Sequence, residues 1–340
     1  MLTPQRRPVP TASATPDGPA ARRRLSLSDN RLAAVLLTPT FLVLALVVGY
    51  PLLAAMRESL YRQAEGIDAN GFVIQDERFV GLDNYRDVFT GQQADLFWNA
   101  FDNTTFFTFT TVAIEIILGL AMALVMHRAM RGRALVRAAI LVPWAIPTAV
   151  SALLWRWIFD ADGVANALLG RQILWTADGP AAKAAVIISD TWKTAPFIGL
   201  LVLAGLQLIP KELYEAAHVD GAGPWRQFRA ITLPMIRPVL VVAVLFRMLD
   251  VLRMFDLPYV LIGNQKHSVE TLSMLAFNEA GNLRYGPAAA FSTLLFCYVV
   301  LVAFVFVKLL GAEVIGQAAT RRVRHRRRSA ARRSRKTATT

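Results

Sequence analysis

Long stretches without charge alternate along this chain with short polar ones, and the spacing predicts about six membrane-crossing helices. Between Arg31 and Arg57 there is no charged residue, and LAAVLLTPTFLVLALVVGYPLLAAM forms the first such stretch. Roughly 20 apolar residues in a helix cross a hydrocarbon core about 30 Å thick. Pro39 and Pro51 fall inside that stretch, as prolines can in membrane helices. Further spans are predicted over about 103–127 (interrupted only by Glu115), 138–158 (with Pro143 and Pro147), 184–209, 238–262 and 286–310. The polar segment 57–98 carries eight acidic and four basic residues, and Gly66, Gly71 and Gly81 break any long helix there. Loops 159–183 and 263–284 read as one side of the membrane, loops 127–137 and 210–236 as the other.

Composition strengthens the membrane reading. Of 340 residues, 55% are hydrophobic and only 18% charged, against about a quarter in soluble domains; the mean hydropathy is +0.41. The formal net charge of +13 comes largely from two tails, one holding Arg22, Arg23 and Arg24 and the other RRVRHRRRSAARRSRK. Basic flanks beside spans mark the cytoplasmic face and attract anionic lipid, so membrane lipid, not nucleic acid, is the expected partner. Residues 1–30 read as a disordered basic tail, 31–311 as the transmembrane domain and 312–340 as a second basic tail. The apolar run after the first tail is too long for a secretory signal. Loop charges place both termini in the cytoplasm of a multi-pass protein. Cys297 cannot form an intrachain disulfide, being the sole cysteine, and is expected as a small buried hydrophobe.

The most informative loop is LIPKELYEAAHVDGAGPWRQFRAITLPMIRPVL. Pro210 stops the fourth span, and KELYEAAHV is a short amphipathic helix. Asp220-Gly221 reverses the chain, glycine permitting positive φ. WRQFRAI is a second short helix with Trp225, Phe228 and Ile231 near one face, and Pro234 and Pro238 set the return into the membrane. The result is a cytoplasmic knob with apolar anchors, joined rigidly to two spans. His218 reads as a surface contact.

Glu215-Ala216-Ala217, Gly221 and Ile231-x-Leu233-Pro234 match EAA-x3-G-x9-I-x-LP, and with these residues the chain resembles the permeases of binding-protein-dependent ABC importers. Asp220-Gly221-Ala222 resembles the carbohydrate branch. FVGLDNY, HRAMRGRALVRAAILVPWAIPTAV, WKTAPFIGLLVLAGLQLIP and FRMLDVLRMFDLPYVL are similar to maltose-permease-F-like first subunits, especially those of actinobacterial trehalose or maltose importers. IGNQKHS departs from the glycine-rich turn of many relatives. The resemblance implies an all-α, type I importer permease fold whose EAA loop docks on an ATPase subunit. It implies no catalytic residues, no metal and no cofactor in this chain, with ATP and Mg held by partner subunits. The implied partners are a second permease, two ABC ATPase subunits and an extracytoplasmic solute-binding protein. The absence of a G-x4-GK[ST] phosphate loop agrees, since the energy must then come from another chain.

Ionisable groups within spans face the bundle interior or a watery cavity. Arg247, Asp250, Arg253 and Asp256 recur every three residues in the fifth span. Two readings stand side by side: an ion-pair ladder completed by Glu115, or a path for sugar hydroxyls. Asp190, Trp192 and Lys193 join the path reading, because sugars take polar hydrogen bonds together with an aromatic face; an interfacial belt is the other reading of Trp155, Trp157 and Trp192. Two rival functions are a secondary transporter, which predicts inverted repeats, and an intramembrane glycosyl- or acyltransferase. No repeat is visible, and the four histidines (127, 218, 267 and 325) are scattered.

Overall fold

A computed structural model describes residues 29–67, 73–128 and 131–311. The tails expected at 1–30 and 312–340 lie, save for Asp29 and Asn30, outside the described residues. The chain forms two bodies, Met1–Leu53 and Ala54–Thr340. The first holds α1 (Asp29–Leu44), a π-turn (Ala45–Gly49) and the start of α2 (Tyr50–Glu58). These run together as an apolar helix of 26 residues, Ala33–Glu58, which Pro39 does not end.

In the second body, the segment 57–98 holds a feature the spacing of apolar residues did not predict. Strands β1 (Tyr61–Ile67) and β2 (Val73–Phe79) pair antiparallel, from Tyr61 opposite Phe79 to Ile67 opposite Val73. The hairpin is fastened at its base by FVGLDNY: Asn84 Nδ2 donates to the Ser59 and Tyr61 carbonyls, both at 2.8 Å, and Tyr85 Oη shares a hydrogen bond of 2.6 Å with Ser59 Oγ. The helix α3 (Asp83–Thr90) follows.

Four more helices among the described residues are long and apolar enough to cross a bilayer. They are α4 (Ala94–His127), α8 (Pro180–Gln207), a rod over Pro224–Val251, and α14 (Tyr285–Phe306) with its terminal π-turn Val307–Gly311. The expected third span is a bent pair instead, α5 (Arg133–Ala145) and α6 (Thr148–Ile158), turning by 95°. Pro147 permits the bend locally: it disfavours helical dihedrals in the residue before it, and Ile146 is extended at φ −74°, ψ 133°. A short helix α7 (Val164–Leu169) leads on to α8.

The fifth span also differs from expectation at both ends. It begins in the loop, as α10 (Pro224–Gln227), a π-turn (Phe228–Thr232) and α11 (Leu233–Val251) in one continuous rod. It ends at Val251, not 262. Pro258 has no N–H to donate to the Met254 carbonyl, which instead accepts from Thr271 Oγ1 at 2.8 Å. The chain resumes as α12 (Asp256–Leu261), and α13 (Leu272–Gly281) is capped by Thr271 accepting from the Met274 amide.

Helix α8 is the hub, with 67% of its apolar window buried, against 17% for α14. Its contact with α4 is backbone-close. A Cβ on Gly119 would lie 2.7 Å from Ile198 Cγ2, and one on Gly199 would lie 3.2 Å from the Gly119 carbonyl. Small residues permit such crossings where lipid gives no hydrophobic drive. Cys297 is exposed on α14, not buried as expected, because that peripheral helix turns most of its surface outward. Just before α8, Asp178 Oδ1 accepts from the Ser268 amide at 2.8 Å. The Ser268 hydroxyl, with that amide bond beside it, holds the Asp178 carboxyl below its usual pKa and ties the loop after α12 to the start of α8.

Candidate functional site

The polar loop after α8 builds one compact feature, α9 (Lys211–Val219) and its turn. Gly221 has φ +71°. Its amide donates to the His218 carbonyl at 3.0 Å, and the Ala222 amide reaches back to Ala217 at 2.8 Å. These two bonds form a Schellman C-cap, in which a left-handed glycine satisfies the last carbonyls of a helix. The spacing from Ala217 to Gly221 is thereby a hydrogen-bonding requirement. Gln227 Nε2 closes the turn on the Ala222 carbonyl at 2.8 Å.

Glu215, Ala216 and Asp220 are exposed on this feature, as is His218. Ile231 is turned inward with Tyr214 against a core of Met126, Val202, Leu206 and Ile236. Leu233 and Pro234 lie in the rod itself, so the expected second short helix and membrane return are one element. The π-turn just before Pro234 absorbs the proline, as helix irregularities can. Sequence reasoning missed Tyr214, whose hydroxyl lies 2.9 Å from Thr232 Oγ1 and joins α9 to the rod. Trp225 stacks on Phe228 with ring centres 5.5 Å apart and stays 72% exposed.

From Thr232, where Tyr214 meets the rod, Arg247 is 15 residues on, about 22 Å at 1.5 Å per residue, and there lies a buried charge cluster. Arg247 on α11 donates through Nε to Glu115 Oε2 at 2.7 Å and through Nη2 to Glu115 Oε1 at 3.0 Å. Nη2 also reaches Asp190 Oδ2, and Nη1 reaches Asp250 Oδ2, both at 2.5 Å. Thr194 Oγ1 donates to Glu115 Oε1. Glu115 is fully buried and Arg247 nearly so, whereas the Asp250 side chain is 66% exposed. A buried charge must be paired and hydrogen-bonded to be tolerated, and here α4, α8 and α11 each supply partners.

A cavity of about 190 Å³ opens from the cluster, lined by Asp190, Lys193, Thr194, Arg247, Asp250, Arg253 and Asp256, with Trp144 and Phe255 beside them. A second, of about 290 Å³, joins Trp144, Phe197 and Phe246 to Arg247, Asp250 and Arg253. Seven of the eight path candidates are therefore gathered here: Glu115 in the cluster and six others lining its cavity. Trp192 is not; it packs edge-to-face on Trp155 at 5.6 Å. The ladder of Arg247, Asp250, Arg253 and Asp256 does not run along one helix either. Arg253 and Asp256 lie past the end of α11, with Arg253 Nε bonded to the Leu249 carbonyl. Trp144, stacked on Phe197, was missed. It stands at the break after α5, and no sequence signal places it beside charge.

Residues 115–316 match the family model described as "Binding-protein-dependent transport system inner membrane component". The trehalose transport system permease protein SugA of Mycobacterium tuberculosis is 39% identical over 293 residues, covering 85% of this chain and 92% of that protein. The trehalose/maltose transport system permease protein MalF of Thermococcus litoralis is 37% identical over 292 residues, covering 84% and 96%. A bacterial alginate ABC transporter, solved in complex with an alginate pentasaccharide-bound periplasmic protein, shares the fold at a TM-score of 0.68 and 21% identity, over 83% of this chain and 93% of that one. With more than half of its length in the family match and its spans in the same arrangement, this multi-pass membrane chain belongs to the binding-protein-dependent transport permeases, which are transport components and not enzymes.

Proposed function

We propose that this chain is a permease subunit of an ATP-driven carbohydrate importer, carrying a disaccharide such as trehalose or maltose. It pairs with a second permease to enclose the path. Two ABC ATPase subunits, holding ATP and Mg, dock beneath it, and an extracytoplasmic solute-binding protein delivers sugar from above. Both termini are cytoplasmic. One observation carries the coupling: α9 is an exposed short helix locked by the Gly221 cap and bonded through Tyr214 to a rod that runs unbroken to Arg247. A push on Glu215, Ala216, Ala217 or Asp220 is thus transmitted along one rigid element, by way of Ile231, Leu233 and Pro234, to the charge cluster. Alternating access follows if that push rearranges the cluster and opens the outer side.

The carbohydrate reading is supported by the sugars that the named relatives transport and by the cluster's chemistry. Carboxylates and guanidinium groups can hydrogen-bond hydroxyls, and Trp144 offers an aromatic face. The test is uptake of radiolabelled trehalose and maltose by cells lacking the gene and complemented with wild type or Gly221→Val. A β-branched residue at positive φ is a strong outlier, and a left-handed L-residue costs about 1–2 kcal/mol. Wild type should restore uptake of at least one sugar, and Gly221→Val, inserted at equal level, should restore less than about a tenth of it. Uptake of both sugars untouched by deletion would sink the disaccharide reading. Full rescue by Gly221→Val would sink the coupling role of the loop.

A further inference from the structure

At the base of the β-hairpin the surface turns apolar around a groove of about 440 Å³, lined by Met56, Leu60, Tyr61, Phe79 and Leu82 among others. Phe79 and Leu82 are 63% and 70% exposed. Tyr61 and Phe79 meet edge-to-face at 5.4 Å, on the paired ends of β1 and β2, so the groove has a fixed wall. A contiguous apolar surface of this kind marks contact with a partner or a membrane.

Its level in the bilayer is set by the helices around it. The Gly286 backbone lies directly against the Tyr61 carbonyl, and Gly286 is in the first turn of the 25-residue apolar helix Tyr285–Leu309. That helix is about 37 Å long at 1.5 Å per residue. It exceeds a hydrocarbon core of about 30 Å, which puts its ends at the headgroups. Arg57 stands in the last turn of α2, where the apolar stretch Ala33–Glu58 ends. Among the described residues Arg57 is the one charged group lining the groove, and no carboxylate pairs with it. Its guanidinium carbon lies 4.8 Å over the Tyr61 ring, held by the attraction of a cation for an aromatic face.

We infer that this groove is a binding site for an anionic glycerophospholipid, whose phosphate takes the Arg57 guanidinium and whose acyl chain covers Phe79 and Leu82. The acyl chain then passes Met56, in the last turn of α2, toward the hydrocarbon core. A guanidinium presents its N–H donors in a fixed fork that matches phosphate oxygens. Stacked on Tyr61, this one is already placed, so less side-chain freedom is lost on binding. No carboxylate lines the groove to receive an ethanolamine or choline ammonium, and a headgroup of net negative charge is therefore preferred. The bound lipid covers the exposed apolar side chains and pins the base of the hairpin at the membrane surface. The site follows from the membrane placement of the chain and is independent of the cargo.

The test introduces phosphatidylglycerol carrying a diazirine in its acyl chain into membranes that contain the protein, with labelled peptides mapped by mass spectrometry. Wild type should be labelled between Met56 and Tyr61 or between Phe79 and Tyr85. Excess plain phosphatidylglycerol should compete that label better than the same amount of phosphatidylcholine. Arg57→Gln should lower the label there about fivefold, the effect of one cation on an anionic lipid, and Arg57→Lys should keep most of it. Label on α14 around the exposed Cys297 should be the same in every variant, which checks insertion and folding. Groove label that phosphatidylcholine competes equally well, or that Arg57→Gln leaves unchanged, makes the groove ordinary lipid-facing surface and overturns the site. Label on α14 with none at the groove means that another protein chain covers it, and overturns the site as well.

Discussion

Arg247 uses four of its guanidinium's donor contacts on three carboxylates from three helices, and its removal would strand Glu115 and Asp190 in the interior. Breaking one side of a buried ion pair costs about 3–5 kcal/mol, because the remaining charge is left uncompensated. Arg247→Leu should therefore lower the thermal midpoint of the detergent-purified chain markedly. The double variant Arg247→Leu, Glu115→Leu should recover part of the loss, since it removes one orphaned charge. A single variant as stable as wild type would mean the cluster is wetter and looser than its hydrogen bonds indicate. The pairing of Arg247 with Asp250 was legible as an i, i+3 spacing, and Glu115 as the lone charge of its span. The placement of Trp192 with Asp190 was not. Two residues in a helix turn the side chain by about 200°, so Trp192 points away while Lys193, one residue further, returns toward the cavity.

Helices here are positioned by close backbone contact as much as by side-chain volume. Gly119 is the clearest case, because Ile198 and the Ala195 carbonyl stand 2.7 and 3.0 Å from where its Cβ would be. Gly119→Leu must separate α4 from the hub helix, and with it Glu115 from Asp190 and Thr194. Overpacking a tight site costs typically 1–3 kcal/mol, and the chain should lose expression level and uptake together. Unchanged expression and uptake would show that the crossing can widen freely. Hydropathy located the long apolar helices but could not tell a straight span from a bent one. Pro39 and Pro196 lie inside continuous helices, yet Pro147 sits at a 95° break. A proline only permits a bend, and packing decides whether it is taken. The same ambiguity hid the rod, since Pro234 and Pro238 read equally well as a boundary. The hairpin escaped because its residues alternate weakly and its base is fastened by Asn84 bonding back to the Ser59 and Tyr61 carbonyls, far from it in sequence.

At the scale of the whole chain, the Lys/Arg bias of the loops assigns a sidedness that labelling can test. Arg137, near the start of α5, donates from Nε and Nη2 to the Met126 carbonyl at 3.1 and 2.9 Å. It caps the end of a span, where cations complement the helix dipole, on the side that the Lys/Arg bias assigns to the cytoplasm. Helix α9 is at that same end of the hub, since α8 ends at Gln207 and α9 follows. Asp162 and His218 are both exposed and flank the single crossing made by α8. Because Cys297 is the sole cysteine, Cys297→Ser gives a thiol-free background in which each position can be probed alone. In intact cells a membrane-impermeant maleimide should label Asp162→Cys and not His218→Cys; after permeabilisation it should label both. Labelling of both in intact cells would mean that α8 does not cross the bilayer. The reverse pattern would put α9 outside the cell, where no ATPase could reach it, and the importer reading of the EAA loop would fall with that result.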